Sequence, residues 1–382
     1  MFHELRARLH LSSGRRYRAA LLLALLIVGV GALLLGAFSS KPDQAPSSAV
    51  QTRRWLSVPR VAGRLTHKNI GLVINTADPY SIAVGEFYAQ ARELSPEQVL
   101  RIELPLRATL TPDEFRAFDR KVANYFDKTV QALALAWTQP YAVNCNSITG
   151  ALALGYDGEL CRHSCSAPQR ASPYFNSATS RPYTDLGLRP SMLLAARSIE
   201  GAKELIRRGV AADYSLGWRG APPANAYFVT TPDRTRSVRS VLFPPPGLLP
   251  QLGIDVRLVD TDALIDVDHV LLYITGAVRV AHLNRVSWVA GALADHLTSF
   301  GGALTNSHGQ MSSLAWIASG ATASYGTVSE PCSHLQKFPH PQLLLLYYAQ
   351  GSTAIEAYWK SVAWPQQGVF IGEPLAAPFA RR

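Results

Sequence analysis

The sequence predicts an α/β protein, a mostly parallel sheet with helices on both faces, behind an N-terminal transmembrane helix. Three observations predict it. Short runs that are apolar at every position recur along the chain, as strands buried on both faces require. Asp-Pro and Thr-Pro helix openings sit between those runs. Residues 19–38 carry no charge and are rich in Leu, Ala and Val, and about 20 such residues span a bilayer as a helix.

Residues 1–18 read as a basic cytoplasmic leader. Arg6, Arg8, Arg15, Arg16 and Arg18 face only Glu4 there, and bases on the leading side of an apolar span hold that side in the cytoplasm. The span at 19–38 is then an uncleaved anchor. A cleaved signal peptide is the alternative, with Ala37-Phe38-Ser39 as its processing site. The first reading places the protein in the inner membrane facing the periplasm; the second makes it periplasmic or secreted. Residues 39–54 include a Ser-, Pro- and Ala-rich tether, and the α/β domain occupies 55–382.

Within that domain the elements follow in order. Residues 69–75 are an apolar run between turn formers, a buried strand. Asp78 and Pro79 supply an N-cap and a first helical residue for a helix over 81–92. A second strand covers 98–104. Thr111, Pro112 and Glu114 open a helix ending near Asp127, with Phe115, Phe118, Val122 and Phe126 on one stripe. A third strand covers 130–137. Residues 140–190, rich in Ser, Pro, Asn, Tyr and Cys, form a long insertion. The pattern then resumes with a helix over 199–208 capped by Gly209, a strand over 226–230, a helix over 232–242, and strands over 256–259 and 269–275. A helix over 312–319, a strand over 321–328, helices over 341–350 and 353–362, and a strand over 369–371 complete it.

Composition bounds the function. Charged residues make up 17% of the 382 and hydrophobic residues 48%, a globular balance. Much of the net charge of +10 sits in the leader, and the remaining bases form no stripe interleaved with aromatics. Nucleic acid is therefore not an expected partner. The membrane is one, through the N-terminal helix. No glycine-rich dinucleotide or phosphate loop is present, and no cofactor is expected.

Several blocks carry a family likeness: Asn69-Ile-Gly-Leu-Val-Ile-Asn75, Asn146-Ser-Ile-Thr149, Arg208-Gly-Val-Ala-Ala-Asp213, Ala294-Asp-His-Leu-Thr-Ser-Phe-Gly-Gly302, the run from Gly320 to Cys332, Glu356-Ala-Tyr-Trp-Lys-Ser361 and Gly372-Glu-Pro-Leu375. With these the chain resembles an uncharacterised family of exported bacterial proteins from genomes carrying exosortase, the membrane transpeptidase thought to sort proteins with a Pro-Glu-Pro C-terminal signal. The resemblance implies an envelope location, with exosortase-system proteins or their substrates as partners, and no known activity. A deeper likeness is to gingipain-type cysteine peptidases of caspase-like fold. It rests on Gly320-Ala-Thr-Ala-Ser-Tyr325, Gly351-Ser-Thr-Ala-Ile-Glu-Ala357 and Gly372-Glu-Pro374. In that registration the strand ending at Gly276 is the His-bearing one. Ala277 stands where the base belongs, and no Cys follows the next strand near Gly302.

The remaining sites each admit two readings. His308 and Cys332 could form a thiol–imidazole pair, or Cys332 could be bridged. Cys145, Cys161, Cys165 and Cys332 form an even set with three possible pairings. Cys161, His163 and Cys165 are candidate zinc ligands by atom type, or Cys161 and Cys165 belong to disulfides stapling the insertion. Asp295 and His296 could serve a serine nucleophile at Ser299, Ser307 or Ser312, or simply lie on a helix leading to Gly301-Gly302. The turn from Asn75 to Pro79 borders the edge where α/β sheets bind ligands, with Asp78 as N-cap the alternative. The expected function is a non-enzymatic, partner- or peptide-binding accessory of surface-protein sorting. The alternative is a cysteine peptidase using Cys332 and His308.

Overall fold

A computed structural model of the chain describes residues 53–381. The basic leader, the span at 19–38 and most of the linker lie outside the described residues. Among the described residues no helix is long and apolar enough to cross a membrane.

The first half alternates as its sequence dictates: β1 (Ile70–Asn75), α1 (Pro79–Ala91), β2 (Val99–Ile102), β3 (Thr109–Leu110), α2 (Pro112–Tyr125) and β4 (Ala132–Leu135). Every residue of β1 and β4 is buried, which explains the absence of polar alternation. Asp78 caps α1 by accepting from the Tyr80 N–H. Thr111 and Glu114 cap α2 reciprocally, and its Phe115, Phe118 and Val122 stripe faces inward.

The insertion contains β5 (Ala142–Val143), β6 (Asn146–Ser147), α3 (Ile148–Leu154), α4 (Glu159–Arg162) and α5 (Pro182–Leu186). Then come β7 (Ser191–Leu193), α6 (Ile199–Ala212), β8 (Ala224–Thr230), β9 (Gly247–Leu249), β10 (Ile254–Asp260), β11 (Val267–Gly276) and β12 (Val286–Leu297). The chain closes with α7 (Leu314–Ser319), β13 (Ala323–Thr327), α8 (Pro341–Ala349), α9 (Ala354–Ser361) and β14 (Gly368–Gly372).

Eleven strands form one sheet in the order β2-β1-β4-β7-β14-β13-β12-β11-β8-β10-β9, and β3, β5 and β6 form a small second sheet. The large sheet is mostly parallel. The runs β2-β1-β4-β7 and β13-β12-β11-β8-β10 are parallel throughout. β14 runs antiparallel to β13 and meets β7 at Ile371 and Leu193; β9 runs antiparallel to β10 at the edge. The mixed α/β class is thus as expected.

Three local expectations are corrected. Gly209 is no cap: α6 continues to Ala212, and a Cβ on Gly209 would lie 2.4 Å from the Glu373 side chain, so the glycine makes room for that carboxylate inside the helix. The helix expected over 232–242 shrinks to a short 3-10 segment, Ser237–Leu242. Asp295 and His296 stand on strand β12, not on a helix; pairing with β11 and β13 overrides local helical spacing there.

Ahead of β1, residues 53–66 cross α8 and α9 as an extended strap. With no strand partner, its backbone donors are met by side chains. Leu56 N–H donates to Gln342 Oε1 (2.8 Å), Val61 N–H to Gln350 Oε1 (3.0 Å) and Leu65 N–H to Glu356 Oε2 (3.1 Å). Two of the distinctive blocks meet nearby. Arg92 binds Glu373 through both carboxylate oxygens (2.9 and 2.7 Å) and Asp213 at 2.5 Å. Glu373 is fully buried, and the Glu373 carboxylate beside Arg92 holds the guanidinium firmly protonated against the opposing effect of burial.

Candidate functional site

In open α/β sheets, ligands sit beyond the carboxyl ends of the strands. β11 and β12 end side by side, with Gly276 opposite Leu297, so the residues that follow define the site. Two glycines set its shape. A Cβ on Gly276 would lie 1.9 Å from the Arg236 carbonyl oxygen, because the segment after β8 packs directly on the end of β11. Thr231 Oγ1 donates to the Gly276 carbonyl (2.6 Å), and Ser237 Oγ donates to the Thr231 carbonyl (3.1 Å). Gly302 is pressed onto β13 in the same way. Its N–H donates to the Thr327 carbonyl at 2.9 Å, and a Cβ there would meet the Gly326 carbonyl at 2.2 Å.

The side chains between these contacts are polar and locked together. Thr298 Oγ1 donates to Gln310 Oε1 (2.6 Å) and accepts from Arg236 Nε (3.2 Å). Arg236 also pairs with Asp233 at 2.9 Å. Ala277 follows β11, and Thr298 and Ser299 follow β12. Among the described residues no imidazole, thiol or carboxylate hydrogen-bonds to the Thr298 hydroxyl.

Beside this locked patch the edge opens into a cleft of about 530 Å³. Arg279 and Val280 line it from the end of β11, Ser307, Gln310 and Met311 from the loop after β12, and Arg197 from the end of β7. A second hollow of about 460 Å³ lies against Arg64, His67, Lys68, Arg92 and Asp213. The ion-pair network already described occupies its Arg92 side.

Asp295 and His296 do not form a catalytic pair. Neighbours on a strand point to opposite faces. Asp295 is buried against Arg239 at 2.5 Å; burial raises its carboxyl and Arg239 opposes that rise. His296 Nδ1 accepts from Trp316 Nε1–H (2.9 Å), which leaves Nε2–H to donate to the Met311 carbonyl (3.1 Å). Burial pushes the imidazole down to about 3, with Arg239, Arg236 and Arg279 adding repulsion. His296 is a neutral core residue. Of the expected serine nucleophiles, Ser307 donates to the Gln310 carbonyl (2.5 Å) and Ser312 to the Leu304 carbonyl (3.4 Å); neither these nor Ser299 bonds to a histidine.

The cysteines decide between the two readings that each of two sites admitted. Cys145 is bridged to Cys161 and Cys165 to Cys332, each with Cα atoms 5.2 Å apart, and no cysteine is free. A sulfur in a disulfide is not a thiolate, so Cys332 offers His308 no nucleophile. His308 itself lies exposed in a turn with its ring 4.6 Å from Phe300. The same bridges remove Cys161 and Cys165 as zinc ligands beside His163, and no metal-binding cluster occurs among the described residues. The disulfides staple the insertion, as the even count allowed. At the first turn, Asn75 is consumed by its own loop: its Oδ1 accepts from Leu104 N–H (2.9 Å) and its Nδ2 donates to the Leu104 carbonyl (3.1 Å).

No protein-family profile matches the chain, and no curated protein matches it. Among solved structures the chain is similar to the Arg-specific cysteine proteinase gingipain R, at 10% identity and a TM-score of 0.40, over 84% of this chain and 80% of that one.

Sequence reasoning missed Arg197 and Arg279. They are scattered single arginines in the sequence, far apart in number, and only strand order brings them to one cleft.

Proposed function

We propose that this protein is an exported, membrane-anchored α/β protein that binds a peptide or protein partner at the carboxyl edge of β11 and β12 and does not cleave it. The observation that carries this is the pairing of an open cleft at that edge with the absence of any free thiol. In the registration that the gingipain likeness of the sequence implies, Ala277 falls at the base position and no Cys follows the next strand near Gly302. Export agrees with two disulfides, since such bridges persist in oxidising compartments. Anchoring agrees with the apolar segment at 19–38. A place among exosortase-linked sorting accessories agrees with the sequence blocks quoted above.

The test is incubation of the full chain with a randomised octapeptide library at neutral pH. Retention of library members on immobilised protein, with their masses intact, is the expected result. New peptide termini from the wild-type chain would show cleavage and end the non-enzymatic reading. A disulfide-dependent phosphatase reporter fused after residue 52 is expected to be active, since it folds only in an oxidising compartment outside the cytoplasm; an inactive fusion would end the export reading.

A further inference from the structure

We infer that the cleft between Arg197 and Arg279 recognises a carboxylate, so that the peptides it takes are acid-bearing. The inference rests on the peptide-binding reading of this edge and narrows it. The cleft lining contains both arginines and no Asp or Glu. Neither arginine belongs to an ion pair among the described residues. Arg279 donates once, to the Gly309 carbonyl at 3.3 Å, which leaves most of its five donors open.

A third donor is set by its neighbours. Gln310 Oε1 accepts from Thr298 Oγ1 (2.6 Å) and from Phe300 N–H (2.9 Å). Those two bonds fix which way the amide lies, and Gln310 Nε2 is left as a donor with no partner among the described residues. Arg236 and Arg239, deeper in the edge, are each paired with an acid, so the unpaired charge belongs to the two cleft arginines. Concave sites of one charge concentrate ligands of the other, and a guanidinium fork matches a carboxylate in two bonds.

The remaining lining selects against a bare inorganic anion. Val280, Leu283, Met311 and Ala315 give the cleft apolar surface, and its volume of about 530 Å³ exceeds what an ion fills. An extended peptide satisfies both features, with its acid on the arginines and neighbouring side chains on the apolar patch.

The experiment uses two octapeptide libraries, identical except for a fixed central Glu in one and Gln in the other, offered to the immobilised full chain. A charge-assisted bond is worth about 1.5–3 kcal/mol, so the Glu library is retained at least about tenfold better. Arg197→Gln and Arg279→Gln each lower Glu-library retention about tenfold and leave Gln-library retention unchanged. Both positions are exposed, and unchanged melting temperatures show the variants folded. Equal retention of the two libraries by wild type, or undiminished Glu preference in both variants, overturns the inference and leaves peptide binding standing. Retention of neither library overturns both.

Discussion

Replacing Cys165 and Cys332 together by serine tests how the insertion is held and whether Cys332 is ever a thiol in the native protein. The two residues are 167 apart in sequence. Cross-linking so long a loop restricts the unfolded chain by about 5 kcal/mol at 25 °C in the chain-entropy treatment. The Cys145–Cys161 bridge closes a separation of only 16, worth about 3 kcal/mol by the same relation. The folded form keeps other ties between the insertion and the later chain. Ser329 Oγ donates to the Cys145 carbonyl at 2.6 Å, and Lys337 Nζ and Gln366 Nε2 donate to the carbonyls of Ser164 and Arg170. The loss therefore falls mainly on the unfolded side, and the native structure persists in the variants. Urea unfolding of the full chain without reductant is the assay, with maleimide titration of native wild type alongside. The expected order of stability is wild type, then C145S/C161S, then C165S/C332S, and no thiol titrates in the wild type. Equal losses from the two double variants, or stoichiometric labelling of Cys332 in the unreduced native chain, would refute the reasoning.

Three further perturbations follow from the buried titratable groups and the glycine beside one of them. His296 and His340 are pushed down to about 3 and about 4, mainly by burial. Their folded values lie below the unfolded one, so the unfolded chain takes up protons first. Stability is then fully present above about pH 6.5 and is lost as pH falls toward 4. Urea midpoints measured from pH 7.5 to 4.5 check this; His296→Asn is expected to flatten the decline, and a flat wild-type profile would contradict it. Glu373→Gln removes the carboxylate that pairs with buried Arg92 and costs about 3–5 kcal/mol. Gly209→Ala pushes a methyl into the Glu373 side chain, so in a double-mutant cycle its cost shrinks once residue 373 is alanine; strict additivity would place the two apart.

Legibility divides along the range of the interactions. The caps at Asp78 and Thr111, the inward stripe of α2 and the apolar runs of β1, β4 and β11 were readable because each acts within a few residues. The helix expected at Asp295 and His296 failed because β12 is imposed by its neighbours. Pairing with β11 and β13 is invisible to a local window. Gly209 was misread as a stop for the same reason: its partner is Glu373, 164 positions away.

The sequence by itself determined the α/β class and the order of most strands and helices, since caps and apolar runs act within a few residues. Tertiary structure alone decided which of three cysteine pairings forms, which way His296 bonds, and that Arg197 and Arg279 share a cleft without a neutralising acid. Each of these depends on residues brought together by strand order across the sheet, and that order arises from the collective burial of the whole core rather than from any single stretch of chain.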